Sequence, residues 1–226
     1  MTIFNPATGA DEIRSRSAYY CHDQLLVLLN ELWTTFGTAN PAVKILVLGY
    51  YPVLTNQSAI PNVLDVLKAL ARETINPPRP HGFLAETLGT DWNLRRILIQ
   101  NSIAFRDASR TDISSAVVSA NAKASTQAFI YVDPAIADDE AAFAPNALLW
   151  GLQPGTEVPT DPVYDDRIRY CKDLIGEAPG IDQFKCERAS LGHPNITGAM
   201  RYAQNIFSAI AVAAGQAASP APRGLL

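Results

Sequence analysis

A short run at residues 43–48, apolar except for Lys44, constrains the fold of this 226-residue chain more than any other feature. Its β-branched residues and limited length favour a strand that is buried on both faces, as in a parallel sheet. A helix is predicted before it, over residues 17–36, from apolar residues at steps of three and four, with Gly37 at its end. Helix, turn and buried strand in this order are half of a βαβ unit, so the sequence predicts an α/β protein with a parallel sheet.

The second predicted strand covers residues 128–132 and ends at Asp133-Pro134, whereas the first ends at Gly49-Tyr50-Tyr51-Pro52. Ligands bind at the carboxyl ends of the strands in open α/β sheets, so both endings are candidate site segments. Further helices are predicted over residues 63–71, 91–124, 163–175 and 195–214. In the last of these, helical spacing predicts a core-facing side made of Ala199, Tyr202, Ala203, Ile206 and Ile210.

One histidine stands out because of the residues around it. His193 lies on a short loop between Gly192 and Pro194, and Asn195 can act as the N-cap of the helix that follows. An imidazole held on a stiffened loop at the start of a helix is typical of a catalytic base. The alternative is a loop histidine without a catalytic role.

The residues of this loop resemble those of a known family. Gly192-His193-Pro194-Asn195, followed by Gly198-Ala199 and Tyr202-Ala203, resembles the last conserved block of the SGNH (GDSL-type) hydrolases. Residues 44–52, with their Gly-Tyr-Tyr-Pro ending, are similar to the fourth strand of that family, and residues 129–134 are similar to its fifth. The resemblance covers residues 17–213 in the family's order.

This resemblance implies a three-layer α/β/α sandwich of the flavodoxin-like SGNH type, built around a five-stranded parallel sheet. It implies ester hydrolysis by a serine nucleophile, with His193 as the general base. Family members usually carry an aspartate three residues before this histidine, and Ser190 occupies that position here. Ser190 would then orient His193 through its hydroxyl or its main-chain carbonyl.

The first half of the family's site is not found in this sequence. There is no Gly-Asp-Ser block after an opening strand and no Gly-x-Asn-Asp before residue 17. The chain is therefore expected to match the C-terminal portion of the family domain, with a fold that is incomplete on its N-terminal side. Ser58 and Ser102 are the least implausible substitutes for the nucleophile, and Asp182 and Glu187 are carboxylates near the histidine in sequence.

Two alternatives to a self-sufficient esterase remain open. The chain could be a non-catalytic α/β homologue, or a binding module that uses its aromatic loops. It could also associate with a partner chain, or with itself, to cover the edge of a half sheet. The candidate substrate-binding residues are aromatic and suit a small-molecule ester or a lipid-like substrate: Tyr50, Tyr51, Phe143 and Trp150.

The three cysteines limit the possible covalent and metal chemistry. Cys171 and Cys186 are candidates for a disulfide that closes a loop of about fifteen residues, worth about 3 kcal/mol through loop-closure entropy. Two buried thiols are the alternative. No Cys-x-x-Cys pair, clustered ligand set or Gly-rich phosphate loop occurs, so no metal or other cofactor is expected.

Composition narrows the class of protein. A formal charge of −4 argues against a nucleic-acid-binding protein, and no apolar run reaches the ~18–20 residues that span a bilayer. The N-terminus lacks the features of a signal peptide, which predicts a cytoplasmic chain as written, whereas the resemblance and the candidate disulfide suggest secretion. The predicted organisation is an irregular lead-in over 1–16, an α/β domain over 17–214 and a disordered tail over 215–226.

Overall fold

The computed structural model describes residues 9–59, 91–151, 163–176, 186, 190 and 192–215. These residues form a mixed α/β structure with a two-stranded parallel sheet. The predicted helix at 63–71, the tail from 216 onward and the carboxylates Asp182 and Glu187 lie outside the described residues.

The first helical region begins earlier than its apolar stripe predicts. Helix α1 spans Ala10–Ser17, so the prediction of an irregular lead-in is wrong for residues 10–16. Acidic residues in the first turn interact favourably with the positive end of the helix dipole. Asp11 also forms a 2.6 Å ion pair with Arg14, one turn further along the helix. Ile13 is fully buried, so this otherwise polar helix packs against the protein through one apolar side chain.

The helical region continues to Gly37, its predicted end, and includes two π-helical segments. A π-helical segment, Ala18–Gln24, leads into α2, Leu25–Leu32, and a second π segment, Trp33–Gly37, ends the region. At that end, Thr34 and Thr35 donate their hydroxyls to carbonyls four residues earlier, which loosens the regular helical hydrogen bonding. The Trp33 ring lies against Gly37, where a Cβ would come within 2.0 Å of it.

Both predicted strands are present and parallel. Strand β1 spans Ile45–Leu48 and strand β2 spans Phe129–Val132, with Ile45 opposite Phe129 and Leu48 opposite Val132. The prediction of a strand buried on both faces fits β2 better than β1, because Leu48 at the end of β1 is 43% exposed. The parallel sheet is therefore confirmed, and the complete burial of its first strand is not.

The two edges of this sheet differ. On the outer edge of β2, the Asn121 Oδ1 accepts a 2.9 Å hydrogen bond from the Phe129 N–H, and Asn121 Nδ2 donates one of 2.8 Å to the Phe129 carbonyl. Because alternate amides of β1 bond to β2, those of Leu46 and Leu48 point outward, where no described residue accepts a hydrogen bond from them. A side chain thus covers the β2 edge, and the β1 edge is open among the described residues.

Three longer helices complete the described structure, and their bounds agree with the sequence prediction to within a residue or two. They are α3, Asp91–Ala124, α4, Tyr164–Ile175, and α5, Ile196–Ala213. A short 3₁₀ turn, Asp138–Glu140, follows β2. Among the described residues, no helix is both long enough and apolar enough to cross a bilayer.

The chain divides into two compact units. Unit 1 comprises Met1–Pro52, Asn101–Ala135 and Met200–Leu226, and unit 2 comprises Val53–Gln100 and Ile136–Ala199. The sheet belongs to unit 1, where α2 packs against β2, and the Trp33 ring meets the Phe129 ring edge-on at 6.3 Å. The buried residues of this core are Leu29, Val117, Ala120, Ala128 and Phe129.

The predicted core-facing side of α5 is largely wrong. Tyr202 and Ile206 are partly buried, whereas Ala199, Ala203 and Ile210 are exposed. In unit 1 the packed side of the helix is instead set by Tyr202 and Asn205, whose polar groups bond to main-chain carbonyls at the strand ends. Two polar contacts therefore decide which side of a mostly apolar helix is covered.

Candidate functional site

In unit 2, main-chain hydrogen bonds anchor the His193 loop. The His193 carbonyl accepts from the Trp150 N–H at 2.8 Å, and the Gly192 N–H donates to the Trp150 carbonyl at 2.8 Å. Leu149 and Pro194 form an isolated antiparallel bridge between the same two segments. The histidine backbone is thus held on both sides of its Cα.

The sequence of the loop explains this geometry. Gly192 has a φ of +73°, in the left-handed region that favours glycine, and a Cβ there would approach a Val53 methyl to 3.0 Å. Gly198 lies in the first turn of α5, where a Cβ would come within 2.2 Å of the Leu148 carbonyl oxygen. Both glycines therefore permit close approach of the chain on either side of His193.

Asn195 caps the helix as predicted. Its Oδ1 accepts a 2.9 Å hydrogen bond from the Gly198 N–H, which confirms the N-cap. Its Nδ2 also donates to the Ala147 carbonyl at 2.8 Å, and the side chain is only 3% exposed. The helix start is therefore tied to the segment that precedes Trp150, a connection that the capping pattern alone did not predict.

The His193 side chain itself is exposed, and its ring forms no hydrogen bond with another described residue. Ser190 accepts a 2.9 Å hydrogen bond through its carbonyl, but from the His193 main-chain N–H. The Ser190 hydroxyl is buried and has no hydrogen-bond partner within the described part of the chain. Both groups predicted to orient the ring are thus next to His193 in the loop, although neither bonds to the imidazole in this conformation.

Two predicted aromatic residues belong to the same unit. Trp150 is only 7% exposed, so most of its ring packs inside unit 2 rather than facing solvent. Phe143 is partly buried and has a φ of +63°, an uncommon conformation for a bulky residue. Its carbonyl accepts from the Ala59 N–H at 2.9 Å, which helps to hold this strained residue in place.

The other two aromatic candidates lie at the carboxyl end of β1, in unit 1. Tyr50 is 50% exposed and packs on Phe105, with ring centroids 5.0 Å apart. Tyr51 is partly buried and meets Tyr202 edge-on at 5.9 Å. The Tyr202 hydroxyl donates to the Gly49 carbonyl at 3.1 Å, so α5 is bonded directly to the end of β1.

The end of β2 carries a second set of contacts that the sequence patterns did not predict. Asp133 forms a 2.7 Å ion pair with Arg110, and its Oδ1 accepts from the Ala135 N–H at 2.9 Å. Asn205 Nδ2 donates to the carbonyls of Asp133 and Pro134. Ala135 has a φ of +52°, and these bonds stabilise that turn. A polar amide within an apolar helix was the one signal that could have pointed to Asn205.

Burial changes the acidity of the tyrosines at the strand ends. It raises the pKa of the Tyr51 phenol, and it raises that of Tyr202 strongly, with neighbouring Tyr51 adding to the effect. Burial and Asp133 raise the pKa of Tyr131, although the nearby Arg110 partly opposes this. The Tyr131 hydroxyl meets no described partner with normal hydrogen-bond geometry. These phenols therefore stay protonated at neutral pH, and the Tyr202 hydroxyl can act as the donor to the Gly49 carbonyl.

The two serines considered as nucleophiles are buried. Ser58 is 1% exposed, donates its hydroxyl to the Ala142 carbonyl at 2.7 Å and accepts from the Thr55 N–H. Ser102 is also 1% exposed, within helix α3. In this conformation neither hydroxyl is accessible to an ester, and that of Ser58 has a structural role.

The predicted disulfide is confirmed. Cys171 and Cys186 are bonded, with their Cα atoms 5.7 Å apart, and Cys21 is a free thiol. Burial raises the pKa of the Cys21 thiol above its usual value. Within the described ranges, no group of three or more His, Cys, Asp or Glu side chains is placed to hold a metal ion.

Comparison with protein-family models, with curated proteins and with solved structures finds no match for this chain. The SGNH resemblance therefore rests on the motifs around His193 and on the two strand endings.

Proposed function

We propose that this chain is an ester hydrolase of the SGNH class, built on that family's three-layer α/β/α sandwich, with His193 as its general base. One observation carries the proposal: the His193 backbone is bonded on both sides while its imidazole is exposed. A general base needs a fixed position and access to the proton that it removes, and this arrangement provides both.

The proposed mechanism gives each residue the role that its counterpart has in other serine hydrolases. The imidazole takes the proton of an attacking serine hydroxyl as that oxygen adds to the ester carbonyl, and it returns the proton to the leaving alkoxide, which leaves an acyl-serine. It then takes a proton from water as the water attacks the acyl-serine, and it returns that proton to the serine oxygen as the carboxylic acid is released. Ser190 serves as the orienting residue. A rotation of the His193 side chain that brings Nδ1–H to the Ser190 carbonyl or hydroxyl would leave Nε2 free to act as the base.

The buried serines bear on where the nucleophile lies. Since Ser58 and Ser102 are each 1% exposed, the proposal assigns the attack to neither of them. The nucleophile is then another serine of this polypeptide or one supplied by a partner chain, and the two sources differ in what they predict for the isolated chain.

A fluorophosphonate probe separates these cases, because it reacts covalently with serines that a neighbouring base has activated. Labelling of the isolated chain, followed by peptide mass mapping, would identify an internal nucleophile. Replacing His193 with alanine should slow that labelling at least a hundredfold, in line with the ~10²–10⁴-fold contribution of general base catalysis. Labelling at an unchanged rate in that variant would contradict the role of His193.

A non-catalytic binding protein is the second candidate, and the buried serines favour it. On that account, esters bind to the chain without turnover, and His193→Ala leaves their affinity unchanged. Calorimetric titration with a non-hydrolysable ether analogue of a short-chain ester measures this affinity directly. Binding that persists without any labelling or turnover would favour this candidate over the esterase.

A further inference from the structure

A groove in unit 1 has the features of a binding site for an amphipathic anion. It has a volume of about 420 Å³, and its lining comes from the end of α5, from β2 and from Lys44, which precedes β1. This volume falls within the range of small-molecule sites. Its lining residues are Lys44, Gln127, Ile130, Tyr131, Ser208, Ala209, Val212 and Ala213.

The described walls of this groove are mostly apolar, and none of their residues is acidic. Ile130, Ala209 and Val212 supply aliphatic surface, and Val212 is 63% exposed in the absence of a ligand. Exposed aliphatic surface in a concave site is stabilised when an apolar ligand covers it. The groove therefore suits a hydrocarbon chain better than a sugar or a polar metabolite.

Lys44 is the one cationic side chain among the described lining residues. Lys44 immediately precedes β1, and its ammonium donates a 2.8 Å hydrogen bond to the Gln127 carbonyl. A lysine ammonium has three donors, so two remain for the oxygens of an anion. The contact with Gln127 holds the ammonium at the groove, and no described lining residue carries a compensating negative charge.

The extent of the described lining along the sheet indicates the length of the chain that fits. Tyr131 lies opposite Val47 in the sheet, three residues beyond Lys44, which corresponds to about 10 Å along the strand. An extended aliphatic chain of about eight carbons covers that distance. The charge of Lys44 and the apolar lining then define the ligand.

We propose that this groove binds a medium-chain fatty-acid carboxylate, with the carboxylate at Lys44 and the hydrocarbon chain along Ile130, Ala209 and Val212. The site belongs to unit 1 and does not depend on ester hydrolysis at His193. Octanoate is the best matched ligand, and longer acids should extend beyond the groove into solvent.

Calorimetric titration of the full chain with octanoate, below the concentration at which it forms micelles, tests this proposal. Lys44→Met, which keeps the length of the side chain, should weaken octanoate binding about tenfold or more, since a charge-assisted hydrogen bond is lost. The same variant should bind 1-octanol as tightly as the unmodified chain does. Lys123→Met removes an exposed lysine elsewhere in unit 1 and serves as the matched control, with no expected change.

Two further experiments test the proposal independently: a series of fatty acids of different chain length, and a variant in which a larger side chain fills the groove. From hexanoate to octanoate, affinity should rise about two- to fourfold per added CH₂ and then level off for longer acids. Ala209→Phe should reduce binding of both octanoate and octanol, and circular dichroism checks that the variant folds. If Ala209→Phe does not fold, the results for Lys44→Met and for the chain-length series decide whether octanoate binds in this groove. The proposal is overturned if octanoate does not bind at millimolar concentration, or if Lys44→Met binds octanoate as tightly as the Lys123→Met control.

Discussion

Asn195 donates a 2.8 Å hydrogen bond from its Nδ2 to the main-chain carbonyl of Ala147. Its Oδ1 meanwhile accepts from the Gly198 N–H, so one buried side chain joins the start of α5 to the segment before Trp150. His193 lies two residues before Asn195 and is bonded to Trp150 through its own carbonyl. The position of the imidazole therefore depends on a residue that does not touch it.

Replacing Asn195 with alanine should destabilise the protein by about 2–3 kcal/mol, because it removes a helix cap and leaves a buried carbonyl without its donor. Asn195→Ser is the informative comparison, since a serine hydroxyl restores the cap but cannot reach the Ala147 carbonyl in the same way. Urea denaturation should rank stability as unmodified chain, then serine, then alanine. Equal stability of all three would show that the Asn195 contacts contribute nothing.

Gly198→Ala tests the close approach of α5 to Leu148. Helix propensity alone favours alanine by about 1 kcal/mol, but the added Cβ would lie 2.2 Å from a main-chain oxygen that cannot move freely. The clash should dominate and lower the free energy of unfolding by about 1–3 kcal/mol. Thr197→Ala, an exposed neighbour in the same turn, should change stability by less than about 0.5 kcal/mol. A stabilised Gly198→Ala variant would mean that the two segments are further apart.

The partly buried tyrosines at the strand ends predict a loss of stability in alkali. The pKa of Tyr202 is raised in the folded state, whereas the unfolded chain ionises this phenol near pH 10. A raised folded pKa gives stability that is complete below about pH 10 and falls as the pH rises further. Tyr202→Phe should flatten this decline, leaving the smaller contributions of Tyr51 and Tyr131.

Denaturation midpoints between pH 8 and 11 measure this effect, in a Cys21→Ser background that removes the titrating thiol. Tyr20→Phe is the control, since Tyr20 is 58% exposed and should leave the pH dependence unchanged. A Tyr202→Phe variant that declines as steeply as the Tyr20→Phe control would refute the assignment.

Replacing Cys171 and Cys186 together with serine should lower the free energy of unfolding by about 3 kcal/mol, as expected for a loop of this length. The measurement is a thermal or urea melt at fixed pH, with Cys21→Ser as the matched control. Reductant should destabilise the Cys21→Ser protein and have no effect on the double variant. If reductant leaves the unmodified chain unchanged, the disulfide is not formed in solution.

Local patterns predicted the elements of this structure well. The apolar runs at 43–48 and 128–132 located both strands, since a buried strand needs a continuous apolar sequence. The Asn195 cap and the pairing of Cys171 with Cys186 were also predicted, because each depends on residues close together in sequence.

Tertiary contacts decided what the local patterns could not. The apolar spacing of α5 predicted a core-facing side, yet Asn205 fixes a different side by bonding to the carbonyls that follow β2. Trp150 was expected in a ligand-binding loop. Its side chain is instead buried, and its segment is hydrogen-bonded to His193 through the main chain. The early start of α1 depends on ion pairs and on one buried residue, Ile13, which left no apolar stripe in the sequence.

The central claim is that His193 acts as the base in ester hydrolysis, and turnover of a short-chain nitrophenyl ester measures it most directly. Exposed imidazoles hydrolyse such esters slowly without any site, so His22→Ala is the necessary control; His22 lies in unit 1 and bonds to Asp23. We predict saturable turnover whose kcat/KM falls at least a hundredfold in His193→Ala and less than twofold in His22→Ala. No turnover above that of free imidazole would exclude a nucleophile within this chain. Equal rates in the two variants would contradict the role of His193.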